Sequence, residues 1–318
     1  MPDLKWSCVC QGGRRREMHE IKFKQVSVNG FKGIELRSGT NRFSPTGRPD
    51  LIEINFGSAH NFVEFLHGCG VDQVSSYYYD PGIAFLEESS SGRNAAKPED
   101  HEGIVESTRS FAKFLRDVGG SCLVVKAMGS YRGEAPVTEA KIKTVAECWN
   151  RVGRMTIEYG VKTAIHINCL CALHSIDDIE KLLSLTTPDL VGLALDTAEQ
   201  TIAGIDPVAL YEKHYARVSH IYCVDALAAD TLAEYKTVAG GSPDGGPGFA
   251  GGDRRIAQWY GAMGTPGGLV NFPALIKSVR QHNYGGWLVA ENRQLPNSAH
   301  GCMLNGYYIK KVVPGLQG

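Results

Sequence analysis

The chain has no long hydrophobic run. None of its apolar stretches approaches the ~20 residues that a helix needs to cross a bilayer, so no membrane-spanning helix is expected. It also lacks an apolar core near its start. The stretch MPDLKWSCVCQGGRRREMHE carries charges where a secretory leader would be hydrophobic. An excess of one charge is missing too: 33 basic against 34 acidic side chains leave a formal net charge of −1. That balance favours neither nucleic acid nor an anionic membrane surface as a partner. No G-x-G-x-x-G follows an early strand, and the glycine-rich GGSPDGGPGFAGGD lacks the Lys-Ser/Thr of a phosphate loop. The nine cysteines are odd in number and lie mostly in apolar runs. Cys8/Cys10 and Cys169/Cys171 form C-x-C pairs, but no second pair has zinc-finger spacing. Buried reduced thiols in a cytoplasmic protein are therefore expected, rather than a disulfide framework.

What is present is ordinary globular composition, 43% hydrophobic and 21% charged, with one unusual pattern. Four apolar runs each close on an ionisable residue: VKTAIH on His166, VGLALD on Asp196, VSHIYCVD on Asp225 and GWLVAE on Glu291. A buried parallel strand reads as a continuous apolar run. A charge at its end is costly unless the strand opens there into a polar site. Strand and helix signals alternate along the whole chain. The spacing predicts eight strands in one (β/α)₈ barrel, an α/β fold, with a single domain over 1–318 and a glycine-rich insertion at about 226–268. An open doubly wound sheet is the structural rival. The insertion reads equally as a surface loop or as a lid over the barrel mouth.

The strand-end groups are a mixed oxygen and nitrogen donor set, suited to Mn²⁺, Zn²⁺ or a similar ion. Alternation on the seventh strand puts His220 and Tyr222 on one face and Cys223 and Asp225 on the other, and only one face can look inward. Bland alternatives stand beside each residue. Asp196 could cap the following helix, His166 could be a satisfied core histidine, Lys126 could snorkel from its strand end, and Glu35 could pair with Arg37. The run Tyr77–Tyr79 suits either packing or stacking on a sugar ring.

The stretch PDLVGLALDTAEQTIAGIDPVALYEKHYARVSHIYCVD and the closing GGLVNFPALIKSVRQHNYGGWLVAEN resemble the sugar phosphate isomerase/epimerase family of xylose isomerase-like TIM barrels. The shared features are Asp-Thr after an apolar strand, a Gly-x-Asp-Pro helix start, Arg-Val-x-His, and Tyr-x-Gly-Trp before a strand ending in Glu. The inosose dehydratase branch is similar in carrying histidine at the fifth strand end, as His166 does here. The resemblance implies one divalent ion, with Mn²⁺ first and Co²⁺, Zn²⁺ or Mg²⁺ as alternatives. Its ligands would come from His166, Asp196, Glu291 and the strand-seven position. There the sequence departs from the family: Tyr222 stands where the metal histidine is usual, and His220 lies two residues earlier. Glu199 replaces the histidine after Asp-Thr, and Asn168 stands where a second dehydratase histidine is frequent.

The implied chemistry is proton abstraction next to a carbonyl of a keto-sugar or keto-polyol, through an enediolate, with loss of a β-substituent. His166, Lys126, His220 and Glu199 are the candidate acid–base groups. Glu35, Tyr78, Asn168, Tyr222 and Trp259 are candidates for substrate contact. Other readings are an epimerase or isomerase, the catalytic subunit of a C-glycoside deglycosidase (which brings a small partner subunit, against a homo-oligomer otherwise) and a metal-free sugar-binding subunit.

Overall fold

In the computed structural model, described for residues 3–10, 16–37, 48–82, 92–129, 137–169, 171–232, 259–291 and 298–316, eight parallel strands close into a barrel. These are β1 (Lys5–Val9), β2 (Gly33–Arg37), β3 (Gln73–Tyr79), β4 (Cys122–Lys126), β5 (Lys162–His166), β6 (Val191–Asp196), β7 (Val218–Cys223) and, after the short β8 (Asp225–Ala226) and β9 (Tyr260–Gly261), β10 (Trp287–Ala290). Each strand pairs with its neighbours in chain order, and β10 closes the ring against β1. The expected barrel is therefore the observed one. The helices lie between successive strands and cover the outer face.

The two faces of each strand carry different chemistry. Trp6, Cys8, Ile34, Leu36, Val74, Leu123, Val125, Ile165, Leu193, Leu195, Ile221 and Leu288 join the large cluster under the helices. Val9, Cys122, Val124, Ala164, Ala194, Tyr222 and Val289 form a separate, smaller cluster inside the barrel. This is the period-2 alternation of strands that are covered on both sides. Space inside is set by small residues: a Cβ on Gly33 would come within 2.8 Å of the Trp287 ring, which packs against the inner cluster.

Helix starts follow their local sequence. Thr138 accepts from the Lys141 amide ahead of helix Glu139–Ile157. Ser175 and Asp178 make a reciprocal capping box. Asp206 caps a helix whose first residue is Pro207. The long helix Glu139–Ile157 is tied to the barrel by Trp149, fully buried, whose indole N–H donates to the Ala127 carbonyl at 2.8 Å. All nine cysteines are buried and unbridged. No helix among the described residues is long and apolar enough to cross a membrane.

One boundary moves. The seventh strand ends at Cys223, and Asp225 belongs to β8, which pairs antiparallel with β9. Asp225 accepts from the amides of Ala226 (2.9 Å), Gly264 (3.1 Å) and Val270 (3.1 Å). A Cβ on Gly268 would strike that carboxylate at 2.2 Å. Asp225 thus organises the chain that leaves the barrel. The β8–β9 pair clamps the base of the glycine-rich segment, whose Gly240–Gly252 lie outside the described residues.

Candidate active site at the barrel mouth

Inward-facing residues at the C-terminal strand ends build one layer of polar side chains. Tyr222 joins the inner cluster, which settles the choice on β7: His220 and Tyr222 face the interior, and Cys223 packs outward. Of the three β3 tyrosines only Tyr78 turns inward. Tyr77 stacks on Phe111 (ring centroids 4.8 Å apart) and Tyr79 leans on the same ring at 4.7 Å, so two tyrosines of the run belong to packing. His166, Asp196 and Glu291 come from β5, β6 and the end of β10, all buried.

The layer divides into connected groups. His166 Nε2 lies 3.0 Å from Asp196 Oδ2, and the His166 ring sits edge-on between Tyr78 (5.7 Å) and Tyr222 (5.2 Å). The other Asp196 oxygen accepts from the Glu199 amide at 3.1 Å. The same carboxylate therefore caps helix Thr197–Ile202, as one reading of the sequence has it, and also bonds the imidazole. Thr197 explains the Asp-Thr pairing: its hydroxyl donates to the Val224 carbonyl at 2.6 Å and accepts from the Val224 amide at 2.9 Å, fastening β6 to β7.

A second group centres on Glu35, fully buried in the middle of β2. Tyr222 donates to both of its oxygens at 2.9 Å, and Ser76 donates to Oε2 at 2.8 Å. Arg37 reaches Oε1 through Nε and Nη2 at 3.2 Å each, and His220 Nε2 lies 3.2 Å from Oε2. Burial works against the Glu35 charge, but His220 and Arg37 outweigh it and hold the carboxyl at about 2. Arg37 also turns Nη1 onto Glu291 Oε1 at 2.7 Å. Its guanidinium carbon lies over the rings of Tyr78 (4.9 Å) and Tyr222 (5.8 Å). Burial opposes the guanidinium charge, and Glu291 and Glu35 more than restore it. Glu291 shifts the other way from Glu35: burial pushes it up to about 7, with Arg37 pulling down and Asp196 pushing up.

Lys126, in register with His166 on the neighbouring strand, places Nζ 3.2 Å from Asp80 Oδ2, with both side chains buried. It does not snorkel into solvent. Glu199 reaches the loop after β5 and the short β9: it accepts from the Cys169 amide at 2.7 Å and from the Tyr260 hydroxyl at 3.2 Å. Asn168 is half-buried in that loop. Trp259 is buried beside Tyr260, its carbonyl accepting from Leu227. Two residues absent from the candidate roles matter here. Arg37 was legible only as a possible partner of Glu35, and Asp80 followed the tyrosine run without an assigned role.

The residues do not fit a resident divalent ion in this arrangement. Such an ion needs several donors converging on one point. Among the described residues no three His, Cys, Asp or Glu side chains do so. His166 and Asp196 face each other, Glu291 faces a guanidinium, and the strand-seven donor is a phenol held by Glu35. Burial and the Glu35 charge push the Tyr222 hydroxyl well above its ordinary value, so it remains a neutral donor and a poor ligand.

Residues 23–301 match the xylose isomerase-like TIM barrel family, and the chain belongs to that family. An inosose dehydratase of Clostridium beijerinckii is 30% identical over 198 residues, 59% of this chain and 62% of that protein. The match thus spans less than two thirds of the relative's length. Among solved structures, the probable 3-DHS dehydratase AsbF of Bacillus anthracis superposes with a TM-score of 0.69 at 12% identity, over 97% of this chain and 100% of that one. The IolI protein with a bound zinc atom superposes with a TM-score of 0.67 at 12% identity, over 98% and 99%. At those identities the likeness is one of fold.

Proposed function

We propose that this chain is an enzyme that removes a proton next to the carbonyl of a keto-sugar or keto-polyol and eliminates a β-hydroxyl, a dehydratase-type lyase. The observation that carries the reading is the buried His166–Asp196 pair at 3.0 Å, at the mouth of a barrel whose relatives include an inosose dehydratase. With Nε2–H donated to Asp196, His166 presents Nδ1 as the basic nitrogen. The carboxylate fixes the tautomer and stabilises the imidazolium that forms, as in other histidine–carboxylate pairs.

In the step proposed, His166 takes the proton from carbon, and the electron pair moves onto the carbonyl to give the enediolate. That pair returns to form the carbon–carbon double bond as the β carbon–oxygen bond breaks. The Lys126 ammonium, held by Asp80, gives its proton to the leaving hydroxyl, which departs as water. The proton on His166 then returns to Lys126 through solvent, so the net change is loss of one water. Tyr78 offers a ring face for the sugar. No step here is routed through a divalent ion. The nine buried thiols suit a reducing compartment, and a cytoplasmic setting is proposed on that ground alone.

The test is incubation with a keto-inositol and a 3-keto-glucoside in D₂O. Solvent deuterium should appear next to the carbonyl, and enone absorbance should grow. His166→Ala should slow both by about 10²–10⁴-fold, the usual worth of a positioned base. Wild-type protein that neither exchanges nor eliminates with either substrate, yet binds them, would instead favour a sugar-binding subunit.

A further inference from the structure

We infer that the Arg37 guanidinium, and not a resident divalent ion, is the fixed positive charge of this mouth, and that its free edge stabilises the substrate oxyanion. The second half rests on the reaction class proposed above. The first half concerns only this chain's own residues.

The geometry around Arg37 is that of a cation built into a site. Nε and Nη2 share Glu35 Oε1 at 3.2 Å, and Nη1 sits 2.7 Å from Glu291 Oε1. Two tyrosine rings lie within 6 Å of the guanidinium carbon, at 4.9 and 5.8 Å. A guanidinium held by two carboxylates and lying over two aromatic rings has lost most of its rotamer freedom, so it contributes a charge that needs no reorganisation when the substrate reacts. A guanidinium carries five N–H groups, of which these contacts among the described residues engage three. One hydrogen on each terminal nitrogen is left over, and the side chain is 15% exposed. Arg37 and His166 both contact the rings of Tyr78 and Tyr222, which brings base and cation to the same part of the mouth.

The departures from the family pattern point the same way. Tyr222, which stands in place of the expected metal histidine, donates to both oxygens of Glu35. The change that removes a ligand therefore adds an anchor to the carboxylate that holds Arg37. An ion placed on Glu291 would sit beside a guanidinium already bonded there, and like charges at that separation repel strongly in a buried site.

The experiment has two readouts. In the first, protein grown with Mn²⁺, Co²⁺ and Zn²⁺ is analysed for metal, then dialysed against EDTA, and its melting midpoint is followed as each ion is added back. Substoichiometric metal and an unmoved midpoint are expected. One bound ion per chain that disappears in Glu291→Gln overturns the inference, whatever the substrate proves to be. In the second, turnover of a keto substrate by Arg37→Ala should fall about 10²–10³-fold, mostly in kcat. Guanidinium chloride at sub-denaturing concentration should restore part of it, and Arg37→Lys should lie between. Unchanged turnover in folded Arg37→Ala, or rescue by Mn²⁺ and not by guanidinium, overturns the oxyanion role. Should Arg37→Ala fail to fold, Arg37→Lys carries the readout: turnover equal to wild type overturns the role, and a kcat-weighted loss supports it. Absence of turnover by wild type defeats the proposed function, while the metal readout still decides which cation occupies the mouth.

Discussion

Glu35 and Glu291 stand on opposite sides of one guanidinium, and they behave as opposites. Glu35 has Tyr222, Ser76, His220 and Arg37 around it, and its carboxyl is held at about 2. Glu291 has Arg37 on one side and the charges of Asp196 and Glu35 acting against it, and it sits at about 7. Equal burial therefore gives unequal acids: His220, Arg37 and Ser76 outweigh burial at Glu35, while the Asp196 and Glu35 charges add to it at Glu291. On the proposed reading the Glu35 side of the mouth is scaffold, and Glu291, at about 7, is the carboxyl that can exchange a proton near neutral pH.

The largest expected effect breaks the scaffold. Glu35→Ala leaves Arg37 with one carboxylate and strips Tyr222, Ser76 and His220 of their shared acceptor. Removing one partner of a buried charged network costs about 3–5 kcal/mol, and urea denaturation should show that loss. A cost below about 1 kcal/mol, the range of an exposed pair, would end the division between the two sides. Glu291→Gln is the matching change. An amide oxygen can still accept from Arg37, so the expected loss is mainly in turnover.

The next effect is the pH dependence of stability. Glu291 titrates at about 7 in the folded chain against an ordinary value of 4.5. Its folded value is raised, so the folded chain holds a proton that the unfolded chain has released. The contribution is complete below 4.5 and is lost as pH rises through about 7. The shift corresponds to about 3 kcal/mol at most. Glu35 runs the other way: its folded value is lowered from 4.5 to about 2, so its contribution is present above 4.5 and lost as pH falls toward 2. Melting midpoints should decline between about pH 5 and about pH 8, and Glu291→Gln should flatten that decline. A flat wild-type profile over this range would place Glu291 with the ordinary carboxylates.

The barrel was legible because buried parallel strands write continuous apolar runs, and the charged ends of β5 and β6 meet as the His166–Asp196 pair, whereas Glu291 bonds Arg37. The seventh strand was ambiguous for a physical reason. Period-2 alternation separates two faces without saying which one looks inward, and that depends on Ala194, Val289 and their neighbours across the barrel. Arg37 was harder. Its link to Glu35 is local, but its contact with Glu291 joins opposite ends of the chain, and the Tyr222–Glu35 bond spans 187 residues. No spacing rule records which strand ends meet over an open mouth. Glu199 was placed by the Asp-Thr motif, but its partners, the Cys169 amide and the Tyr260 hydroxyl, lie 30 and 61 residues away and no spacing rule names them.

The smallest effect sharpens the comparison most finely. Tyr222→Phe keeps the ring that packs against His166 and Arg37 and deletes only the hydroxyl that donates to Glu35. A hydrogen bond to a buried charged group is worth about 1.5–3 kcal/mol. Ser76, Arg37 and His220 remain as partners of Glu35, so the loss should fall near the lower bound. If Glu35 is scaffold, that loss should appear in stability without moving the pH dependence of turnover, because His166 keeps Asp196 and Glu291 keeps Arg37. A displaced pH profile with unchanged stability would place the Tyr222 hydroxyl in the proton-transfer chemistry and move Glu35 to the reactive side of the mouth.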